Sequence, residues 1–379
     1  MGTDITLTPK QQEIQQRARD FTRKYIIPAA REHDRTAEFP EFIVKKAIEA
    51  GIFPHSIPKK YNGPGYDILS QSLIAEELGY GCLSFANILT GNLLSSHLVL
   101  IGGSEEQKKF YLGQITSGGL GGFLLTESGA GSDAGSVKTT ARLDGDAYVL
   151  NGSKCFASFC SYAKVMVVIA STDLTKGTKG LSAFILDRSH ITVSKPEHKM
   201  GIRCSDSVEI SFKNMRVPKE NLIGNEGEGF KYAMMALDVA RTTVASVALG
   251  CARRALDEAV KFCKERTDIT GKPLYKHQSV AFKIADIAMQ IEASRQLVNS
   301  IISLKESGLK FNTEAAMSKA FSTDTAMKAC TVALKLMGSK GYSTDTVVEK
   351  LMRDIKIYQI FEGSNQVQRL VISRGVFNS

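Results

Sequence analysis

The chain has 379 residues, 43% of them hydrophobic and 23% charged, enough for two or three folded domains with ordinary globular cores. It has no unbroken run of about 18 apolar residues, so no membrane span is expected. The formal net charge is +9, but Lys and Arg fall in short pairs mixed with Glu (Lys45-Lys46, Lys108-Lys109, Arg253-Arg254), the pattern of a solvated surface; this argues against nucleic acid and leaves room for a phosphorylated ligand or an acidic protein partner.

Residues 1–117 read as all helical. Gln11 to Arg31 carries Ile14, Ala18, Phe21 and Ile26 on one stripe, and a second helix runs from Pro40 to Ala50, where Gly51 stops it. A Pro- and Gly-rich connector, Pro58 to Asp67, precedes two apolar helices, Ile68 to Leu78 and Ser84 to Leu100. The period then changes. Over residues 118–225, β-branched runs at Phe123 to Thr126, Ala147 to Leu150, Val165 to Ala170, Ser182 to Leu186 and Val208 to Phe212 are separated by Gly, Asp and Asn turns, which predicts a β-barrel or sandwich. Residues 226–379 return to long helices broken near Gly271, Gly308 and Gly338, and predict a four-helix bundle. The fold class is mixed α and β, with a middle β domain between two helical ones.

Seven cysteines are scattered without CxxC spacing and read as reduced. The six histidines never pair at i, i+4 or beside a Cys, so no metal site is expected. The N-terminus shows no basic segment followed by an apolar core, and the expected location is the cytoplasm of a bacterial-type cell, or the mitochondrial matrix if a presequence has been trimmed.

The stretch richest in chemistry is Arg353 to Arg374, "RDIKIYQIFEGSNQVQRLVISR". A helix from Val347 to Ile360 ends there, Gly363 supplies a left-handed stop, and the Glu362 carboxylate sits beside the apolar Ile360 and Phe361. Poor hydration raises a carboxyl pKa towards the range of a general base near neutrality. This stretch resembles the catalytic signature of the acyl-CoA dehydrogenases, in which the Glu before the Gly removes the α-proton of an acyl-CoA thioester. The resemblance extends to the connector at Pro58 to Asp67 and to the helical, β, helical order, and it implies FAD as cofactor.

Other blocks carry over residue by residue. "FLLTESGAGSDAGSVKTTA" follows a short strand but opens no helix, which rules out a dinucleotide Rossmann site. It looks like the family's flavin and acyl-CoA loop, which implies Phe123, Leu125 and Thr126 against the isoalloxazine and Ser132 near the thioester arm. In "LNGSKCFAS", Phe156 stands where an aromatic, commonly Trp, lies beside the flavin, and Ser158 where a Thr bonds near flavin N5. "ALDVART" places Asp238 and Arg241 on one helix face, and the resemblance implies both in the acyl-CoA pocket, with Leu237 and Phe361 beside them and Thr90 at its floor. One branch of the family carries its base immediately before that Arg; Ala240 stands there, which leaves Glu362. For the far end of the cofactor, "ERTDITGKP" and "LKLMGSKGY" imply Arg266, Lys335 and Gly338, although the first segment is one residue longer than usual and Lys replaces Gln in the second. Gly363 is implied in substrate binding, and Ser364 and Gln366 in cofactor binding.

The implied activity is α,β-dehydrogenation of a short- to medium-chain acyl-CoA in fatty acid metabolism, with electrons passing to an electron-transferring flavoprotein. The implied assembly is a homotetramer, a dimer of dimers. The same residues serve enoyl-CoA reduction in an anaerobic complex, the alternative reading, and a nucleic-acid-binding flavoprotein relative is a weaker one.

Overall fold

The computed structural model describes residues 7–53, 55–188 and 191–378; His190 lies outside them. Helix α1 (Pro9–Phe21) starts on a capping box in which the Thr8 hydroxyl accepts from the Gln11 N–H and the Gln11 side chain reaches back to the Thr8 N–H. A π turn, Thr22–Ile26, joins it to α2 (Ile27–Thr36). The single helix expected from Gln11 to Arg31 is thus two, and the irregular turn falls just before Pro28, whose ring has no N–H to continue the ladder. Next come α3 (Glu41–Glu49), α4 (Ile68–Gly81), capped by Asp67, α5 (Leu83–Thr90), α6 (Asn92–Gly102) and α7 (Glu105–Thr116). The helix expected from Ser84 to Leu100 breaks at Gly91. A Cβ there would stand 2.4 Å from the Phe159 ring and 2.7 Å from the Asn87 carbonyl, so only glycine admits this contact.

Eight strands follow: β1 (Leu120–Leu124), β2 (Thr140–Asp144), β3 (Ala147–Ser158), β4 (Ala163–Ser171), β5 (Leu181–Asp187), β6 (Thr192–Pro196), β7 (Ser207–Pro218) and β8 (Leu222–Ile223). They form one sheet ordered β6-β7-β3-β2-β4-β5-β8, with β1 parallel to β4. Its two halves meet only at Thr140 opposite Ser171, and they share a core to which one half gives Leu150, Phe212 and Val217 and the other Met166, Val168 and Phe184. Strand β4 alternates: Met166, Val168 and Ala170 enter that core, while Val165, Val167 and Ile169 enter the helical one. A strand buried on both faces welds the β domain to the helices. β2, β6 and β8, short and partly polar, escaped the sequence reading.

The C-terminal part holds α8 (Gly229–Glu265), α9 (Gln278–Glu306), α10 (Asn312–Met337), the short α11 (Ser339–Tyr342), α12 (Val347–Tyr358) and α13 (Asn365–Phe377). α8 and the segment Leu83–Gly102 are long and apolar enough to cross a membrane by composition, a property that counting unbroken apolar runs misses. Their apolar windows are 72% and 67% buried inside the fold, so the core uses that surface. Where α4 crosses α8 the backbones touch through reciprocal glycines: a Cβ on Gly79 would stand 2.2 Å from the Val247 carbonyl, and one on Gly250 2.0 Å from the Glu76 carbonyl. The Glu76 carboxylate is buried there and is met by Arg253 and Arg295 at 2.6 and 2.7 Å. Gly250→Ala forces the two helices apart and is expected to lower stability by roughly 1–3 kcal/mol, the range of core overpacking, as read by chemical denaturation; an unchanged midpoint would mean the crossing tolerates a methyl group.

Candidate active site

α12 buries Val348, Leu351, Ile355 and Tyr358 and ends against the core. The chain then turns sharply, with Glu362 itself left-handed (φ +52°) and Gly363 again so (φ +88°). The sequence reading assigned that conformation to Gly363 alone. A left-handed non-glycine residue costs about 1–2 kcal/mol and persists where its surroundings over-determine it. Here they do. The Gly363 carbonyl accepts from Lys319 Nζ and from Gln368 Nε2, both at 2.8 Å, the Glu362 carbonyl accepts from Gln368 at 3.2 Å, and the Asn365 N–H donates to the Gln359 carbonyl at 3.0 Å.

The turn faces a cleft of about 230 Å³ between the β domain and the helices. Phe123, Leu125, Thr126 and Ser132 line it from β1 and the loop after it, and Phe156 and Ser158 from the end of β3. Phe156 sits where the β3–β7 register slips between Lys154 and Ala157; it is left-handed (φ +53°) and 62% exposed, an aromatic ring that lines the cleft with no ring partner among the described residues. Leu237 and Arg241 line the far wall from α8, and Phe361, Glu362 and Gly363 close it. Asp238 does not line the cleft but pairs with Arg241. A small pocket of about 10 Å³ continues inward past Glu362 and Phe361, lined by Thr90, Thr243, Val244, Val247 and Tyr358.

Four expected residues lie elsewhere. Arg266 follows the end of α8, 25 residues and so roughly 35 Å from Arg241 along the helix. Lys335 and Gly338 end the α10 helix, which runs alongside α8 in the same direction, with Cys251 of α8 3.7 Å from Cys330 of α10. Gln366 is exposed and lines neither cavity, while the buried glutamine is Gln368. Ser364 lies beneath the cleft as the cap of α13, accepting from the N–H of Val367, which does line it. Asn87, Met234, Gln368 and above all Lys319 escaped the sequence reading: each sits on a helix face indistinguishable from core or surface until its neighbours are in place. A larger cavity of about 490 Å³, lined by Arg31, Arg203 and Arg353 among others, shares no lining residue with the cleft.

Glu362 reaches the cleft, yet its Oε2 is enclosed and without a hydrogen-bond partner among the described residues. Burial pushes its pKa up to about 7, against the pull of Lys319 and Arg241. Burial likewise lowers Arg241 against the pull of Asp238 and Glu362, and the Arg241 Nε is also buried without a partner. An unpaired donor and an unpaired acceptor at one cleft are groups that a bound molecule would satisfy.

Family models match nearly the whole chain: the acyl-CoA dehydrogenase N-terminal domain over residues 8–119, the middle domain over 122–215 and the C-terminal domain over 227–377. The chain belongs to the acyl-CoA dehydrogenase family. It is 42% identical to the short-chain specific acyl-CoA dehydrogenase of Clostridium acetobutylicum, over 99% of this chain and 100% of that one. It is 41% identical to the NADH-dependent acryloyl-CoA reductase of Anaerotignum propionicum, over 98% and 96%. A chain in the structure of the electron-transferring flavoprotein of Acidaminococcus fermentans, described in connection with flavin-based electron bifurcation, superimposes with a TM-score of 0.96 at 42% identity and 100% of both chains.

Acyl-CoA dehydrogenases are FAD flavoproteins, and the cleft fits an isoalloxazine. Phe123, Leu125 and the uncovered Phe156 supply apolar walls for a flat ring, and Thr126 and Ser158 supply hydroxyls at its edge. Gly129 and Gly131 have open space where a Cβ would stand, leaving backbone free for close approach.

A base with a pKa near 7 is mostly protonated below that pH. The activity of the free dehydrogenase is therefore expected to rise with pH through about 7, read as kcat/KM against pH. The same group is a stability term. Its folded pKa is raised, so its burial is harmless below the unfolded value near 4.5, costs stability increasingly as the pH rises from there, and costs most above about 7. Glu362→Gln is accordingly expected to raise Tm more at pH 8 than at pH 4.5; an equal shift at both would mean the carboxyl is not desolvated.

Proposed function

We propose that this acyl-CoA dehydrogenase oxidises a short-chain acyl-CoA to the 2-enoyl-CoA, with Glu362 as the base. The observation that carries the reading is the Glu362 carboxylate, raised towards neutrality and without a partner, at the inner end of a cleft walled by an uncovered aromatic ring. A thioester laid along that cleft would present its α-carbon to Oε2. The Glu362 N–H donates to no described residue and remains for the thioester oxygen, where charge develops as the proton leaves. Phe123, Leu125, Phe156, Thr126 and Ser158 would hold an FAD, which would supply the acceptor for the hydride of the β-carbon. Lys319 and, to a lesser degree, Arg241, which is paired with Asp238, favour the ionised carboxylate, and Phe361 and Leu237 exclude water from the reacting carbons.

Chain length follows from the pocket beyond Glu362. Its 10 Å³ holds about one water-sized group, and the Thr243, Val244 and Val247 of α8 and the buried Tyr358 close its floor. That supports a four-carbon acyl group over a medium chain. The Clostridium relative, named short-chain specific, agrees with this.

Arg266, roughly 35 Å along α8 from Arg241, and Lys335 and Gly338, at the C-terminal end of α10, line neither cavity of their own chain and would serve a cofactor held in the cleft of a second copy. This supports a dimeric unit within a homotetramer. The chain has no second redox centre in its sequence, and a chain from an electron-transferring flavoprotein structure shares its fold at 42% identity; both support such a flavoprotein as the electron acceptor. The acryloyl-CoA reductase relative supports a second reading in which the same site reduces an enoyl-CoA. We infer a cytoplasmic location.

Anaerobic mixing of the flavin-loaded protein with butyryl-CoA is expected to bleach the flavin, with kcat/KM falling at least about tenfold from a four-carbon to an eight-carbon acyl chain as the longer chain meets the closed floor. Glu362→Gln is expected to keep its flavin and lose bleaching. Undiminished bleaching would remove Glu362 from the role, and an optimum at eight carbons would overturn the short-chain reading. A forward rate far below that of crotonyl-CoA oxidation of reduced flavin would favour the reductase direction.

A further inference from the structure

We propose that Lys319 is the positioning residue of this site: its ammonium ties down the turn carrying Glu362 and is the buried counter-charge against which that carboxylate ionises. The proposal rests on Glu362 being the base.

Three lysines are buried among the described residues. Two of them rest on a carboxylate: Lys154 is 2.7 Å from Glu127, and Lys350 contacts Asp354. Lys319, wholly buried on α10, bonds only neutral oxygens, the Gly363 carbonyl at 2.8 Å and Asn365 Oδ1 at 3.0 Å. A buried ammonium without a counter-ion is unfavourable by several kcal/mol, so a fold retains one where a partner charge is near. The nearby carboxylates are Glu362 and Asp324. Asp324 is already engaged by Arg369 at 3.1 Å, Gln359 at 2.6 Å and Asn365 at 2.7 Å, and its side chain is 40% exposed. Glu362 is left as the charge that answers Lys319.

The other groups facing Glu362 strengthen the assignment. On α8, Arg241 is paired with Asp238, so that couple carries little net charge. On α12, Tyr358 is buried and neutral, held up by burial. Lys319 is therefore the main source of uncompensated positive charge at the base. It also acts through the backbone. The carbonyl it grips belongs to Gly363, the residue after the base, and with Gln368 on the same oxygen it holds Glu362 in its left-handed conformation. Burial lowers Lys319 to about 8, while Glu362 pulls it the other way; each group thus supports the charged form of the other.

The test reads the carboxyl group directly. In infrared difference spectra of parent against Glu362→Gln, the protonated C=O band of Glu362 is followed from pH 5 to 10. Lys319→Gln keeps a donor for the Gly363 carbonyl but removes the charge, and it is expected to move the titration upward by about one pH unit or more, the usual effect of losing a close opposite charge. The rising limb of flavin bleaching by butyryl-CoA should move with it. Lys319→Arg keeps the charge and is expected to stay near the parent pH. Lys319→Met, close to lysine in length and apolar in a buried place, removes the charge and is also expected to move the titration upward. It decides the matter if Lys319→Gln does not fold. A carboxyl band titrating at the parent pH in Lys319→Gln or Lys319→Met overturns the proposal, as does an Arg variant that shifts as far as Gln. If the parent protein is bleached by no acyl-CoA, the proposed function fails, and the infrared shift still decides the role of Lys319.

Discussion

The site depends on one constraint: a carboxylate must be kept out of water, yet remain able to carry charge, on a backbone that cannot move. Desolvation alone would leave Glu362 permanently protonated and useless as a base at neutrality. The protein meets the conflict by burying two cations nearby, one already balanced by Asp238 and one not. The result is a group poised near pH 7, the proton affinity that its proposed role as base requires.

Rigidity comes from the way three structural layers meet at the turn. α12 enters it with its apolar face locked in the core, α13 leaves it from a Ser364 cap, and α10 passes beneath with Lys319, Thr323 and Asp324 bonded to Asn365 or to the Gly363 carbonyl. Opposite, β4 is buried on both faces and holds β1, which leads into the cleft-lining loop, in register with the helical core. The two left-handed aromatics, Phe156 and Phe159, lie at the end of β3 and just after it. With Glu362 they are three of the seven left-handed non-glycine residues among those described, and all three line the cleft, where the surroundings over-determine the local conformation.

What was legible in the sequence was local. Glu362, Phe361 and Gly363 are neighbours, and a helix running into Glu-Gly shows itself in a few residues. So do the glycine-rich loop before Val137 and the i, i+3 pair Asp238 and Arg241, because chain connectivity alone brings their members together. The helical, β, helical order was legible for a similar reason, since hydrophobic period changes from 3.6 to 2 and back at residues near 118 and 226. Less visible were the break at Gly91, whose cause is the ring of Phe159 68 residues later, and the short polar strands β2, β6 and β8.

The sequence by itself determined the fold class, written in periodicity, and singled out the candidate base in a contiguous stretch whose resemblance to a known family implied the type of chemistry. Only the tertiary structure decided that Lys319, 43 residues before Glu362 and on another helix, is the charge beneath the turn, and that Arg266 and Lys335 stand far from the cleft of their own chain. Those facts concern distances between segments, which depend on how helices cross and not on the order of residues along them. The physical reason is that electrostatics and packing act through space, and a lysine on a helix face has no partner until the fold supplies one.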